Sequence, residues 1–250
     1  MIPKIDLRKG DCYKLIKDIP DKSIDLVYID PPYLIEDGGC SGSPLSQRIK
    51  KNQHIEIEKI RHGIDYSIFD ELCRVMNYIY IYLWCSKEQI LDLLEYFKGK
   101  ARFNLLVWCK TNPTPMTNNV WLPDVEYCIC FKSEKAPRYN DGYDLKSKWY
   151  ISEKNKRDKD LFEHPTIKPL ELVKRHILHS TNEGDTVLDC FMGSGTTGVA
   201  CKETGRNFIG MEIDDKYFKI AQDRLNGITA SGQTSIFTDF DLLSKEIKNE

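Results

Sequence analysis

A glycine-rich turn late in the chain constrains the fold more than any other feature of the sequence. The run from Val187 to Gly198 passes from an apolar strand pattern through Gly193 and Gly195 into a helical pattern, with the spacing G-x-G-x-x-G. Glu212 ends the next apolar run 19 residues after the first glycine, where a carboxylate can accept hydrogen bonds from ribose hydroxyls. The pattern predicts a nucleoside-cofactor site, with a plain strand–helix turn as the alternative.

The late position of this turn indicates a permuted sheet. Only 38 residues follow Glu212, which is room for a helix and a tail, so the neighbouring strands must come from the N-terminal part. A dinucleotide fold instead places its first glycine almost at the strand end and continues with further βαβ units. The predicted fold is therefore α/β, a doubly wound and mostly parallel sheet of about seven strands, and an NAD oxidoreductase is disfavoured.

Apolar runs rich in β-branched and aromatic residues alternate with helical patterns, which is typical of a parallel sheet covered by helices. The predicted strands are residues 4–8, 24–30, 78–85, 103–109, 125–131, 185–189 and 206–212. Apolar stripes predict helices around residues 69–76, 90–97, 170–177 and 217–225. Ser86 and Gln89 form a capping-box pattern, and Gly205 is expected to end the helix through Val199.

Composition narrows the class of protein further. The chain has 250 residues, of which 41% are hydrophobic, as is usual for a globular domain. Its longest apolar runs are far shorter than the roughly 18 residues of a membrane helix, and its N-terminus lacks a secretory pattern. Nine cysteines without a C-x-x-C pair argue against a disulfide framework or a zinc site. We expect reduced thiols, a cytoplasmic location and no metal.

Two polar segments stand apart in charge. Residues 34–62 and 132–163 together hold 14 basic and 11 acidic side chains, although the whole chain has a net charge of −2. The remainder of the chain is therefore near −5. Basic residues interleaved with aromatics suit a nucleic-acid surface, whereas two solvated loops are the plainer interpretation.

A second motif, Asp30-Pro31-Pro32-Tyr33, follows the apolar run that ends at Ile29. Open α/β sheets place their chemistry at the carboxyl ends of strands, and two prolines stiffen the turn. The Asp30 carboxylate and Pro31 carbonyl can accept both hydrogens of an exocyclic amino group and stabilise the positive charge that develops on its nitrogen. Tyr33 would stack on the base. The alternative is a rigid loop with a surface tyrosine.

Together with Asp189-Cys190-Phe191-x-Gly193-Ser194-Gly195-Thr196-Thr197, this tetrapeptide resembles the β-class, circularly permuted DNA amino-methyltransferases. The resemblance extends from Gly10-Asp11 to about Leu225 and includes Trp108-x-Lys110-x-Asn112-Pro113 and His164-Pro165-Thr166-x-Lys168-Pro169. It implies a Rossmann-like fold and direct, in-line methyl transfer from S-adenosylmethionine to a flipped base. Asp at the first position of the tetrapeptide favours adenine N6, because cytosine-N4 members more often carry Ser there.

The resemblance also implies roles for individual residues. The catalytic residues would be Asp30, Pro31, Pro32 and Tyr33, and the cofactor-binding residues would be Asp11, Thr166, Lys168, Asp189, Phe191, Gly193, Ser194, Gly195, Thr196 and Glu212. Asp11 would reach the cofactor's adenine, cap the helix beginning at Cys12, or do both. Thr166 and Lys168 would lie near the methionine end, unless residues 164–169 only start a helix. Cys190 departs from the family, which usually has Pro there.

The same resemblance makes DNA the expected partner. The DNA-contacting residues would be Arg48, Lys50, Lys51, Lys110, Asn112, Arg138, Lys148, Lys156 and Arg157. Residues 1–225 would form the catalytic domain with recognition segments 34–62 and 132–163, leaving 226–250 unassigned, and a homodimer is one expected assembly. The alternatives are a cytosine-N4 or RNA amino-methyltransferase and an inactive DNA-binding relative.

Overall fold

The computed structural model describes residues 2–33, 63–113, 121–137, 142–154 and 167–227. Its strands are β1 (Ile5–Lys9), β2 (Leu26–Ile29), β3 (Tyr80–Cys85), β4 (Arg102–Lys110), β5 (Val125–Lys132), β6 (Trp149–Ser152), β7 (Thr186–Asp189) and β8 (Asn207–Glu212). Its α-helices are α1 (Cys12–Leu15), α2 (Ser67–Val75), α3 (Ile90–Phe97), α4 (Leu170–Ser180), α5 (Thr196–Glu203) and α6 (Asp215–Leu225). Short 3₁₀ turns cover Ile16–Asp18, Lys87–Gln89 and Tyr143–Lys146.

All eight strands belong to one sheet with the order β1-β8-β7-β2-β3-β5-β4-β6. Strand β5 runs antiparallel to both of its neighbours, and the other pairings are parallel. Strands β7 and β2, which are far apart in sequence, pair directly, with Val27 opposite Leu188. Their carboxyl ends therefore meet at one edge of the sheet, which brings the two sequence motifs together.

Both faces of the sheet are covered by helices. Alternate residues of β2 and β3 point to opposite faces, with Val27, Ile29 and Ile81 packing in the same apolar cluster as residues of α1, α2 and α3. On the other face Leu26 and Tyr28 belong to a cluster with residues of α4, α5 and α6. Every residue of β2 and β3 is buried, as expected of central strands in a three-layer fold.

The structure confirms the predicted α/β fold and adds one strand. Each of the seven predicted strands is present with its ends within two residues of the prediction. The eighth, β6, lies inside the segment expected to be a polar loop and pairs in parallel with β4. The capping residue Gln89 accepts a hydrogen bond from the Ser86 N–H at 3.1 Å, and Gly205, with φ of +78°, follows α5. Within the described part of the chain, no helix is long and apolar enough to cross a membrane.

Candidate active site

Asp30 leaves strand β2 at the carboxyl edge of the sheet and is held by two side chains. Its Oδ1 accepts a hydrogen bond from the Tyr33 hydroxyl at 2.6 Å, and its Oδ2 accepts one from Lys168 Nζ at 2.5 Å. The Lys168 ammonium also donates to the Tyr33 oxygen at 3.2 Å. Asp30, Tyr33 and Lys168 therefore form a closed triangle, which fixes the carboxylate at the end of the strand.

Lys168 links this triangle to a second carboxylate. Its side chain is only 7% exposed, and its Nζ lies 3.2 Å from Glu126 Oε2. The other oxygen of Glu126 pairs with Lys110 at 2.6 Å. Burial alone would lower the pKa of Lys168, but Asp30 and Glu126 raise it above its ordinary value. Burial opposes ionisation of Glu126 as well, yet the two ammonium groups hold its pKa below the usual range. The result is a row of alternating charges.

Neutral aromatic groups form the surroundings of this charged row. The Lys168 ammonium lies 4.8 Å from the centre of the Trp84 ring, and the Trp84 Nε1–H donates to the Tyr28 hydroxyl at 3.1 Å. The Tyr28 oxygen lies 3.3 Å from Nδ1 of His176, which is buried. Burial lowers the pKa of His176 to about 3, so this imidazole is neutral at physiological pH. Burial and Asp30 raise the pKa of Tyr33 well above its ordinary value, which keeps the hydroxyl a donor.

Asp189 fixes the glycine-rich turn from within. The residue ends strand β7 and is buried, with Oδ1 accepting from the Phe191 N–H at 3.0 Å and Oδ2 accepting from the Thr197 hydroxyl at 2.6 Å. Burial raises the pKa of Asp189 to about 7, since no cation of the described residues contacts it. Both oxygens are thus used to join the end of β7 to the first turn of α5.

The glycines let this turn run close to helix α6 and to strand β8. Gly193 and Gly195 have φ of +50° and +79°, values that side-chain-bearing residues rarely adopt. A Cβ at Gly195 would lie 3.0 Å from the Cβ of Ala221. The Gly193 N–H donates to Glu212 Oε2 at 3.0 Å, so the turn and the end of β8 are joined.

Arg224 supports the turn from the side of α6. Its guanidinium, on a largely buried side chain, donates from Nη1 to Thr196 Oγ1 at 2.8 Å and to Ser194 Oγ at 3.3 Å. The hydroxyls of Ser194 and Thr196 thus accept hydrogen bonds from the protein itself. In the structure these two predicted cofactor residues hold the shape of the turn.

Acidic side chains lie at the ends of two adjoining strands, where ribose and adenine acceptors were predicted. Glu212 ends β8 and accepts backbone hydrogen bonds at both oxygens, from Gly193 and, at 2.8 Å, from Asp214. Each oxygen retains a second lone pair for a hydroxyl. Asp11 follows β1, the neighbour of β8, and caps α1 by accepting from the Tyr13 N–H at 3.0 Å, so the capping role is confirmed. A turn with glycine at positions 193 and 195, beside two carboxylates, fits S-adenosylmethionine.

The structure brings together most of the predicted residues that it describes. The tetrapeptide 30–33, Lys168, Asp189, the turn 191–196, Glu212 and Asp11 all lie on the carboxyl edge of adjacent strands. Cys190 is buried in the core beside this turn. The predicted residues Thr166, Arg48, Lys50, Lys51, Arg138, Lys156 and Arg157 lie outside the described part of the chain.

The three described residues predicted to contact DNA have different surroundings. Lys110 belongs to the charged row through Glu126. The Asn112 side chain is exposed, and its Oδ1 accepts from the Lys154 N–H at 2.7 Å, which joins the loop after β4 to the end of β6. Lys148 is exposed just before β6. Their contact with DNA stays a prediction.

Sequence reasoning missed Glu126 and Trp84. A single acidic residue near the start of an otherwise apolar strand was a usable signal for Glu126, because such a carboxylate needs a cation when it is buried. Trp84 carried no such signal, since an aromatic residue in a central strand is ordinary core.

Among the described residues, no cluster of side chains could hold a metal ion.

Comparison with known proteins decides the family of this chain. The N6/N4-methyltransferase family model, described as DNA methylase, matches residues 24–223. The chain belongs to this DNA methylase family. It is 33% identical over 236 residues to the Type II methyltransferase M2.LlaDCHI of Lactococcus lactis subsp. cremoris, covering 87% of each chain. It is 31% identical over 240 residues to the Type II methyltransferase M2.DpnII of Streptococcus pneumoniae, covering 89% of this chain and 90% of the relative.

Solved structures agree with this assignment. The complex of M1.HpyAVI with SAM superposes with a TM-score of 0.63 at 27% identity, covering 88% of this methylase and 100% of that chain. The cytosine-N4-specific PvuII DNA methyltransferase superposes with a TM-score of 0.67 at 16% identity, covering 90% and 87%, and shows the shared fold. This methylase is therefore an S-adenosylmethionine-dependent DNA methyltransferase. The predicted N6/N4 DNA methyltransferase family, enzyme class and cofactor are confirmed, and the family implies a DNA substrate.

Proposed function

We propose that this DNA methyltransferase methylates N6 of adenine at a specific DNA sequence. The observation that carries the proposal is the Asp30 carboxylate, fixed at the end of β2 by Tyr33 and Lys168. It lies one strand away from the glycine turn that follows β7. A carboxylate at this position can accept from an amino group and stabilise positive charge on its nitrogen.

The chemistry of the transfer needs no covalent enzyme intermediate. When bound, S-adenosylmethionine would supply an electrophilic methyl group: the lone pair of N6 would form the new N–C bond, the S–C electron pair would stay on sulfur, and the nitrogen would then release one proton to water. Asp30 accepts one hydrogen of the amino group and the Pro31 carbonyl accepts the other. The Tyr33 hydroxyl occupies Asp30 Oδ1 in the structure, so an entering base replaces that hydrogen bond while the Tyr33 ring stacks on it.

Binding of the cofactor is assigned to the turn and the neighbouring strand ends. Glu212 accepts from the ribose hydroxyls, Asp11 from the adenine amino group, and Phe191, Gly193 and Gly195 shape the pocket. Asp189, Ser194 and Thr196 support it through their contacts within the turn. The pairing of Lys168 with the methionine carboxylate stays a prediction, since three oxygens already surround its ammonium, and so does the role of Thr166.

The substrate is recognised, in this proposal, by segments 34–62 and 132–163 of a catalytic domain that spans residues 1–225 in permuted order. The paired motif strands β2 and β7, distant in sequence and adjacent in the sheet, support that order. The proposal includes a homodimer and a cytoplasmic location. Light scattering at the concentration used for activity measures the assembly.

Transfer of labelled methyl groups to duplex DNA, followed by mass spectrometry of the nucleosides, tests the base assignment. We expect N6-methyladenine from the wild type and none from Asp30→Ala, with calorimetric binding of S-adenosylmethionine retained in the variant. N4-methylcytosine as the product would contradict the assignment to adenine. Undiminished transfer by Asp30→Ala would contradict the proposed role of the carboxylate.

A further inference from the structure

Glu126 is a partly buried charged group, 21% exposed, that the mechanism above leaves without a role. It lies near the start of β5, which runs antiparallel to β3, and its Oε2 lies 3.2 Å from the ammonium of Lys168. That same ammonium donates to Asp30 Oδ2 at 2.5 Å. Glu126 therefore shares one cation with the carboxylate that accepts the target amino group.

The net charge of this row affects how strongly Asp30 stabilises the positive charge that develops during methyl transfer. Methyl transfer places positive charge on the nitrogen beside Asp30, so the net charge around that nitrogen affects the rate. Asp30 and Lys168 alone form a neutral pair, which stabilises added positive charge weakly. With Glu126 the three groups carry one net negative charge, and Lys110, which offsets it, contacts Glu126 and lies one step further along the row.

We propose that Glu126 is a positioning residue that tunes methyl transfer by sharing the Lys168 ammonium, so that Asp30 keeps the negative charge needed at the target nitrogen. The inference rests on the proposed function. It assigns Glu126 to the transfer step and not to the binding of either substrate, because Glu126 touches Lys168 and Lys110 and acts through them.

The matched variant Glu126→Gln removes the charge and keeps the shape of the side chain. At saturating DNA and S-adenosylmethionine we expect kcat to fall by ten- to a hundredfold. The KM for DNA and the Kd for S-adenosylmethionine should each change less than threefold. Glu95→Gln is the control, and its kcat should equal that of the wild type. Glu95 is an exposed glutamate on α3 that, within the described residues, pairs only with the exposed Lys98 just after the helix.

A charge-compensating variant separates tuning by charge from a merely structural role. Glu126→Gln leaves Lys110 without its carboxylate, so adding Lys110→Met restores the balance of charges. We expect kcat of the double variant to exceed that of Glu126→Gln at least threefold while staying below that of the wild type. If Glu126→Gln alone does not fold, as judged by circular dichroism, the double variant carries the comparison with the wild type.

The outcomes distinguish the inference from the function beneath it. A wild-type protein that methylates no DNA refutes the proposed function and the inference with it. A methylating wild type with an equally active Glu126→Gln variant refutes the inference alone. A double variant no faster than Glu126→Gln also overturns it, because lost contacts and not charge would then explain the effect.

Discussion

The buried carboxylate of Asp189 makes the stability of this methylase depend on pH in a direction opposite to that of an ordinary aspartate. Among the described residues its oxygens accept only neutral donors, the Phe191 N–H and the Thr197 hydroxyl, and its side chain is buried. Burial raises the pKa from 3.8 to about 7. The folded state therefore binds a proton that the unfolded state has released between these two values.

The sign and size of the effect follow from this shift. Because the unfolded chain binds fewer protons than the folded one between pH 4 and pH 7, the free energy of unfolding falls as the pH rises through that window. One pKa unit corresponds to about 1.4 kcal/mol, so the rise from pH 5 to pH 7 costs about 3 kcal/mol from this group. Above pH 7 the contribution is constant.

Asp189→Asn removes the titration and keeps the size of the side chain. The amide oxygen can accept from the Phe191 N–H, and the Thr197 hydroxyl can accept from the amide NH₂. In urea denaturation at pH 5, 6, 7 and 8, we expect the stability of the variant relative to the wild type to rise by about 3 kcal/mol between pH 5 and pH 8. The exposed Asp92 offers the control Asp92→Asn. A stability difference between Asp189→Asn and the wild type that does not vary over this range would refute the reasoning.

Two further predictions concern the glycine turn and the aromatic layer. Gly195→Ala places a Cβ 3.0 Å from that of Ala221 at a φ of +79°. We expect a loss of about 1–3 kcal/mol in stability, measured by urea denaturation, and a weaker affinity for S-adenosylmethionine, measured by calorimetry. Unchanged values would contradict the predicted strain. His176, with its pKa lowered to about 3 by burial, is neutral when folded and protonated when unfolded below pH 6.5. The wild type should therefore lose stability relative to His176→Phe as the pH falls from 6.5 to 4.5, by about 3 kcal/mol; parallel denaturation series at the two pH values check this.

The fold could be predicted from the sequence because its central strands are apolar at nearly every position. Tyr80–Cys85 is buried throughout, so its pattern had one structural solution, and the glycine turn marked the strand–helix junction. Strand β6 escaped prediction because Trp149 and Ile151 are half exposed at the edge of the sheet and lysines flank them. An edge strand buries too little to leave an apolar run.

The site likewise contains residues that the sequence predicts and residues that it does not. Asp30, Glu212 and the glycines lie within short motifs, and local spacing was enough to predict them. Glu126 joins the site through the antiparallel pairing of β5 with β3. The groups around the Lys168 ammonium come from three separate segments of the chain, namely residues 30–33, Trp84 and Glu126. Pairings of that kind depend on the order of strands in the sheet, which local patterns do not encode.

Two aspartates end adjacent strands of the sheet, and their surroundings give them different tasks. Asp189 is 3% exposed and, in the described part of the chain, its carboxylate accepts only from neutral donors of its own turn. Asp189 therefore holds the turn in place, and ionisation of its carboxyl group destabilises the folded protein. Asp30 has a side chain 27% exposed and contacts a buried ammonium that Glu126 shares. Only Asp30 combines access from outside with an ionic partner, so among these two carboxylates it alone can stabilise positive charge on an incoming amino group.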